Sequence, residues 1–168
     1  GRFGLSGGFE ANPAVWLTLR NFPVSIRGLA APGIWNDPTT LRQWTLDNLN
    51  SYWLALVTRR HANHRGIGLR RGAAMVSDRA IAWGVPGVTR LHYTITTGDI
   101  TSKSGACHYA LTTFPDRWHP LIMEALAIRN GERKRSGSRI ARRRDALSYM
   151  QVVIDDANAI AAASASRK

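Results

Sequence analysis

At 168 residues with 44% hydrophobic content, the chain suffices for one domain, or for one domain and a piece of a second. A formal charge of +12 points to an acidic partner (nucleotide phosphates, nucleic acid or an anionic surface) and works against simple attraction of a polycationic ligand. The single cysteine, Cys107, excludes an internal disulfide; there is no signal-peptide pattern and no apolar run near the ~20 residues that cross a bilayer, so a soluble, cytoplasmic protein with no membrane partner is expected.

Residues 1–11 are glycine-rich and aperiodic, a loop without the Gly-Lys-Ser/Thr ending of a phosphate loop. Asn12-Pro13 pairs a capping side chain with a proline suited to the first helical position, so a short helix should follow, ending at Asn21-Phe22-Pro23. Val24 to Arg27 alternates as a brief strand, and Leu29 to Asn36 is a linker. Asp37-Pro38 opens the next helix, where Leu41, Trp44, Leu49, Tyr52-Trp53 and Leu56 recur at helical spacing; Trp44 and Trp53 are expected as core anchors. A basic, glycine-punctuated loop is expected from Arg59 to Arg71. His61 and His64 within it have no acidic or thiol neighbour to complete a metal set.

A central helix is expected over about Asp78 to Thr97. Pro86 either kinks it or marks its start, because proline removes one helical hydrogen bond. Gly98 suits the left-handed position past a helix end, and Thr101 or Ser102 caps the next helix. That helix start, with the ammonium of Lys103, favours an anion, and Arg90 lies about two turns before Gly98. On spacing alone the same residues also fit a capped helix hairpin with two solvated cations. Further on, Ala106, Tyr109, Ala110 and Thr113 form a small-residue face ended by Phe114-Pro115. Asp116 should cap a helix carrying Trp118, Leu121-Ile122, Ala125 and Ile128, which stops at Asn130-Gly131. A last helix should turn Ile140, Leu147, Met150, Ile154 and Ala157 inward, and Asp155-Asp156 read as helix-surface charge. His92 and His108 are expected as core or cleft-wall residues. Striped helices joined by short turns bury their faces only against one another, which implies a mainly α, compact bundle of about five helices.

The ordered set from Trp83 to Asn158 resembles the helical C-terminal domain of aminoglycoside adenylyltransferases. The motif residues are Arg90 ahead of a Tyr-containing helix end, Thr97-Gly98-x-Ile100-x-x-Lys103, Tyr109-Ala110, Phe114-Pro115 before Trp118, an Ala-rich helix and a closing Gly131. The resemblance implies a nucleotidyltransferase that transfers AMP from ATP, with Mg, to an aminoglycoside-type hydroxyl, an antibiotic-resistance activity. It implies that Arg90 and Lys103 contact the triphosphate. Arg129 stands where the family has a nucleotide-contacting Tyr, and still meets a phosphate. The acidic residues that hold aminoglycoside amines fall on Val76 and Ala80, which leaves Asp78 as the one carboxylate for substrate binding. Residues 1–36 then look like the tail of the catalytic nucleotidyltransferase domain plus a linker: a short helix-strand remnant ahead of a helical domain over 37–163 and a frayed tail at 164–168. The Gly-Ser turn and Asp-x-Asp pair of the catalytic half are absent, so no catalytic or metal-binding residue is assigned and the chain alone is expected to be inactive. The alternative is a basic helical nucleic-acid-binding protein. A nucleic-acid partner is not expected, because no recognition-helix motif or aromatic-basic interleaving is present.

Overall fold

The structure, a computed structural model, describes residues 12–23, 33–34, 37–62, 77–132 and 138–166. Among these, every regular element is helical. The expected strand at Val24 to Arg27, and His64 with most of the basic loop, lie outside the described residues.

Helix α1 (Pro13–Asn21) starts as its sequence dictates: the Asn12 side chain accepts a hydrogen bond from the Val15 amide at 3.1 Å, and Pro13 occupies the first turn. Asp37 caps α2 (Pro38–Asn48) by accepting from the amides of Thr39 and Thr40 at 3.1 and 2.9 Å. The chain then passes through one π-helical segment, Leu49–Trp53, into α3 (Leu54–Ala62), so that Pro38 to Ala62 forms a continuous rod. Arg59 is therefore helical and does not start a loop.

Helix α4 (Asp78–Thr97) is the centre of the bundle and packs against α2, α5 (Lys103–Thr113), α6 (His119–Arg129) and α7 (Arg139–Ala165). Ser77 caps it through the Ala80 amide at 3.1 Å, so the helix begins well before Pro86 and carries that proline buried within it. The rod, α4, α5, α6 and α7 make up the expected bundle of about five helices, with α1 ahead of them.

Burial explains the assembly. Leu49, Val57, Ile81, Val88, Ile122, Leu147, Met150, Val153 and Ile154 are all fully enclosed in one core. Each such aliphatic side chain contributes about 1.5–3 kcal/mol against remaining in water. Trp53 crosses from the rod onto α4 directly over Gly87; a Cβ there would stand 2.5 Å from its Cη2 atom. The indole also stacks on Trp83, with centroids 4.6 Å apart. The π segment matters here, because it shifts the helical register between Leu41 and Trp53 and lets both be buried.

Several local expectations are corrected. Trp44 is half-buried and only Trp53 anchors the core. Asp116 opens a 3-10 turn, Asp116–Trp118, and α6 has no side-chain cap, because Trp118 occupies the cap position and already bonds back to Pro115 at 2.9 Å. Ile140 is 76% exposed: it lies in the first turn of α7, ahead of Ala146, where that helix first joins the hydrophobic core. Helix α7 runs through Ser164, whose hydroxyl accepts from Arg42 at 2.8 Å, a contact between α7 and the rod.

Candidate phosphate and acceptor site

The α4–α5 connection is built by short-range chemistry. Gly98 adopts φ 74°, and its amide bonds Thr94 at 2.9 Å. Only glycine takes that conformation without a Cβ penalty. Asp99 accepts from the Ile100 amide at 2.7 Å and from the Asn21 side chain at 3.2 Å, which fastens the turn to α1. Of the two cap candidates it is Ser102 that caps α5, accepting from Gly105 at 2.9 Å. A side chain on Gly105 would collide with the Thr101 hydroxyl, so this residue keeps the turn closed.

Three cations converge at this corner: Arg90 from α4, Lys103 from the first turn of α5 and Arg129 from the last turn of α6. Burial lowers the pKa of Arg90, and the charge of Arg129 lowers it further. Burial likewise lowers that of Lys103, followed by repulsion from Arg129 and then from Arg90. Burial pushes the Cys107 thiol up to about 11, against the opposing pull of Arg129. Among the described residues none of the three cations makes an ion pair. Like charges held together without a counter-charge cost stability, and an anion relieves that cost. The positive end of α5 adds to the same field.

Asp78 is not at this corner. Twelve residues separate it from Arg90, or about 18 Å along the helix axis. Its carboxylate bonds Arg142 at 2.9 Å. Arg142 is buried and also meets Glu124 at 2.5 Å. Burial alone would depress its pKa, but the hydrogen bonds and charges of Asp78 and Glu124 outweigh burial and raise it.

Two networks were not foreseen from sequence. One is Asp78–Arg142–Glu124, which joins α4, α7 and α6; the signal was Glu124 standing alone within the apolar run of α6. The other links Tyr109, His92 and Asp156: the tyrosine hydroxyl is 3.0 Å from Nδ1, and Nε2 is 2.7 Å from the carboxylate. His92 is thus the buried residue expected, whereas His108 is exposed. Asp156 faces a buried partner instead of serving only as surface charge. Tyr149, also buried, bonds the Thr89 hydroxyl at 2.8 Å.

Among the described residues no group of three or more His, Cys, Asp or Glu side chains is arranged to hold a metal ion, so no step is assigned to a metal on this chain. No described helix is long and apolar enough to cross a membrane.

No curated protein and no solved structure gives a significant match to the chain. Residues 85–154 match the family model for the aminoglycoside adenylyltransferase C-terminal domain, a stretch that holds Arg90, Lys103 and Arg129. The match and the helical fold agree: over residues 85–154 the chain is similar to the aminoglycoside adenylyltransferase C-terminal domain.

Proposed function

We propose that this chain supplies the helical half of a nucleotidyltransferase cleft, used to transfer AMP from ATP to a hydroxyl of an aminoglycoside-type, ring-bearing acceptor. The observation that supports this reading is the convergence of Arg90, Lys103 and Arg129, uncompensated by any described carboxylate, at the positive end of α5. In this reading the three side chains hold the triphosphate and offset its charge as pyrophosphate departs. The catalytic half brings the metal and the base, so the chain alone binds nucleotide and does not turn it over. Residues 37–163 form the helical unit, and residues 1–36 are the end of the catalytic unit and its linker.

The test is calorimetric titration of the full chain with ATP, beside Arg90→Ala, Lys103→Ala and Arg129→Ala. A charge-assisted contact to phosphate contributes about 1.5–3 kcal/mol, so the Arg90 and Lys103 substitutions should each weaken binding roughly ten-fold to a hundred-fold. Unchanged affinity in both variants rejects the assignment.

A further inference from the structure

A hollow of about 200 Å³ lies between the start of α6 and α7. The turn before α6 and the first turn of that helix contribute Arg117, Trp118, Pro120 and Leu121 to its wall. Asp145 comes from α7, and the Arg142–Glu124 ion pair spans the two helices. Trp118 precedes Arg129 by eleven residues, so about 17 Å along α6 separates the hollow from the cation corner. Asp78 is not in the wall. The volume is below the ~300 Å³ where sites for drug-sized ligands begin, and it admits a small molecule.

Two donors in this wall lack a partner. The indole N–H of Trp118 is buried, the residue being 8% exposed, and among the described residues it has no hydrogen-bond acceptor. A buried donor left without an acceptor costs stability, and an acceptor seated beside it removes that cost. Arg117 is exposed and makes no ion pair among the described residues; its guanidinium carbon lies over the Trp118 ring, 4.8 Å from the centroid. No side chain caps α6, so the positive end of that helix adds to the same pull on an anion. The two carboxylates differ in availability. Glu124 is committed to the buried Arg142. Asp145 is half-exposed, and its ion pair is with the neighbouring, exposed Arg144 at 3.2 Å, a contact that water screens.

A plain anion would meet the two donors and be repelled by Asp145. A plain cation would meet Asp145 and leave the buried indole N–H unanswered. A zwitterion satisfies both ends, and Pro120 and Leu121 offer apolar surface beside them. We propose that this hollow binds a small free α-amino acid with an apolar side chain: Arg117 and the Trp118 indole N–H hold its carboxylate, Asp145 its ammonium, and Pro120 and Leu121 its side chain. The site goes beyond the nucleotidyl-transfer reading and does not depend on it. The amino acid is bound and released unchanged, and none of these side chains acts on a phosphate.

The test uses the full chain and three probes titrated separately by calorimetry: L-valine, N-acetyl-L-valine, which lacks the ammonium, and L-valinamide, which lacks the carboxylate. Valine should bind saturably, and each blocked probe should bind at least about ten-fold more weakly, as loss of one charge-assisted contact does. Arg117→Ala and Asp145→Asn should each weaken valine binding by about the same factor, and Trp118→Phe, which keeps a ring and removes the N–H, should weaken it as well. Arg117 is exposed and Asp145 half-exposed, so their replacement leaves the fold intact and keeps the result interpretable if Trp118→Phe does not fold. ATP titrations of the Arg117→Ala protein should be unchanged. Absence of saturable valine binding, a blocked probe that binds as tightly as valine, or indifference of valine binding to both Arg117→Ala and Asp145→Asn overturns the proposal.

Discussion

His92 on α4 and Asp156 on α7 meet at 2.7 Å between Nε2 and Oδ2, although the histidine is buried and the aspartate is half-exposed. With neutral imidazole, Nε2 carries the proton toward the carboxylate and Nδ1 accepts from the Tyr109 hydroxyl at 3.0 Å. One ring thereby joins α4, α5 and α7. Nitrogen-15 chemical shifts of His92 should report the Nε2–H tautomer in the native protein. Asp156→Ala should cost about 1 kcal/mol, because the aspartate is partly solvated while the imidazole it leaves is not. A native protein with the Nδ1–H tautomer would reject this arrangement.

Arg142 carries the heavier electrostatic role. It is buried between Glu124 at 2.5 Å and Asp78 at 2.9 Å, and Glu124 is itself buried. Arg142→Ala should destabilise the protein by about 3–5 kcal/mol, since it strands a carboxylate in the core. Pairing Arg142→Met with Glu124→Leu should recover most of that loss, because the second change removes the stranded charge. Urea melts of the single and double variants check both statements, and equal stability of the two variants would contradict the second.

Gly87 is fixed by its neighbour more than by its own backbone. Gly87→Ala places a methyl 2.5 Å from the Trp53 Cη2 atom, and Trp53 cannot yield freely because it stacks on Trp83. Overpacking of this kind costs about 1–3 kcal/mol. Thermal denaturation should show the loss, and Trp53→Phe in the Gly87→Ala background should relieve part of it.

The lowered pKa of Lys103 sets a sign for pH dependence. Burial, then Arg129 and Arg90, disfavour its charged form in the fold, so its folded pKa is below the ordinary 10.5. Between that lowered value and 10.5 the unfolded chain holds more protons, and stability contributed by this group rises with pH through that window. Anion binding runs the other way, because phosphate needs the ammonium: ATP affinity should fall as pH climbs through the same window. Lys103→Arg should flatten that fall, since guanidinium stays charged. Calorimetry in matched buffers measures it, and identical pH profiles for the native protein and the Lys103→Arg variant would remove Lys103 from the site.

The helices and their ends were legible in the chain alone. Asn12, Asp37 and Ser102 cap where expected, Gly98 and Gly131 take positive φ, and the apolar stripes assemble a mainly α bundle. These are local matters, set by hydrogen bonds within a few residues and by helical periodicity. The motif from Arg90 to Gly131 also pointed to the family whose model matches residues 85–154. Which charges meet was settled by helix docking instead. Asp78 and Arg142 are 64 residues apart, as are His92 and Asp156, and neither pairing leaves a periodic trace in the chain. Likewise, Arg129 joins Arg90 and Lys103 only because α6 packs back against α4, and Trp53 instead of Trp44 fills the core because a π segment shifts the register between them. Long-range electrostatics and packing register depend on how helices dock, and docking is a property of the assembled surface that no single stretch of sequence contains.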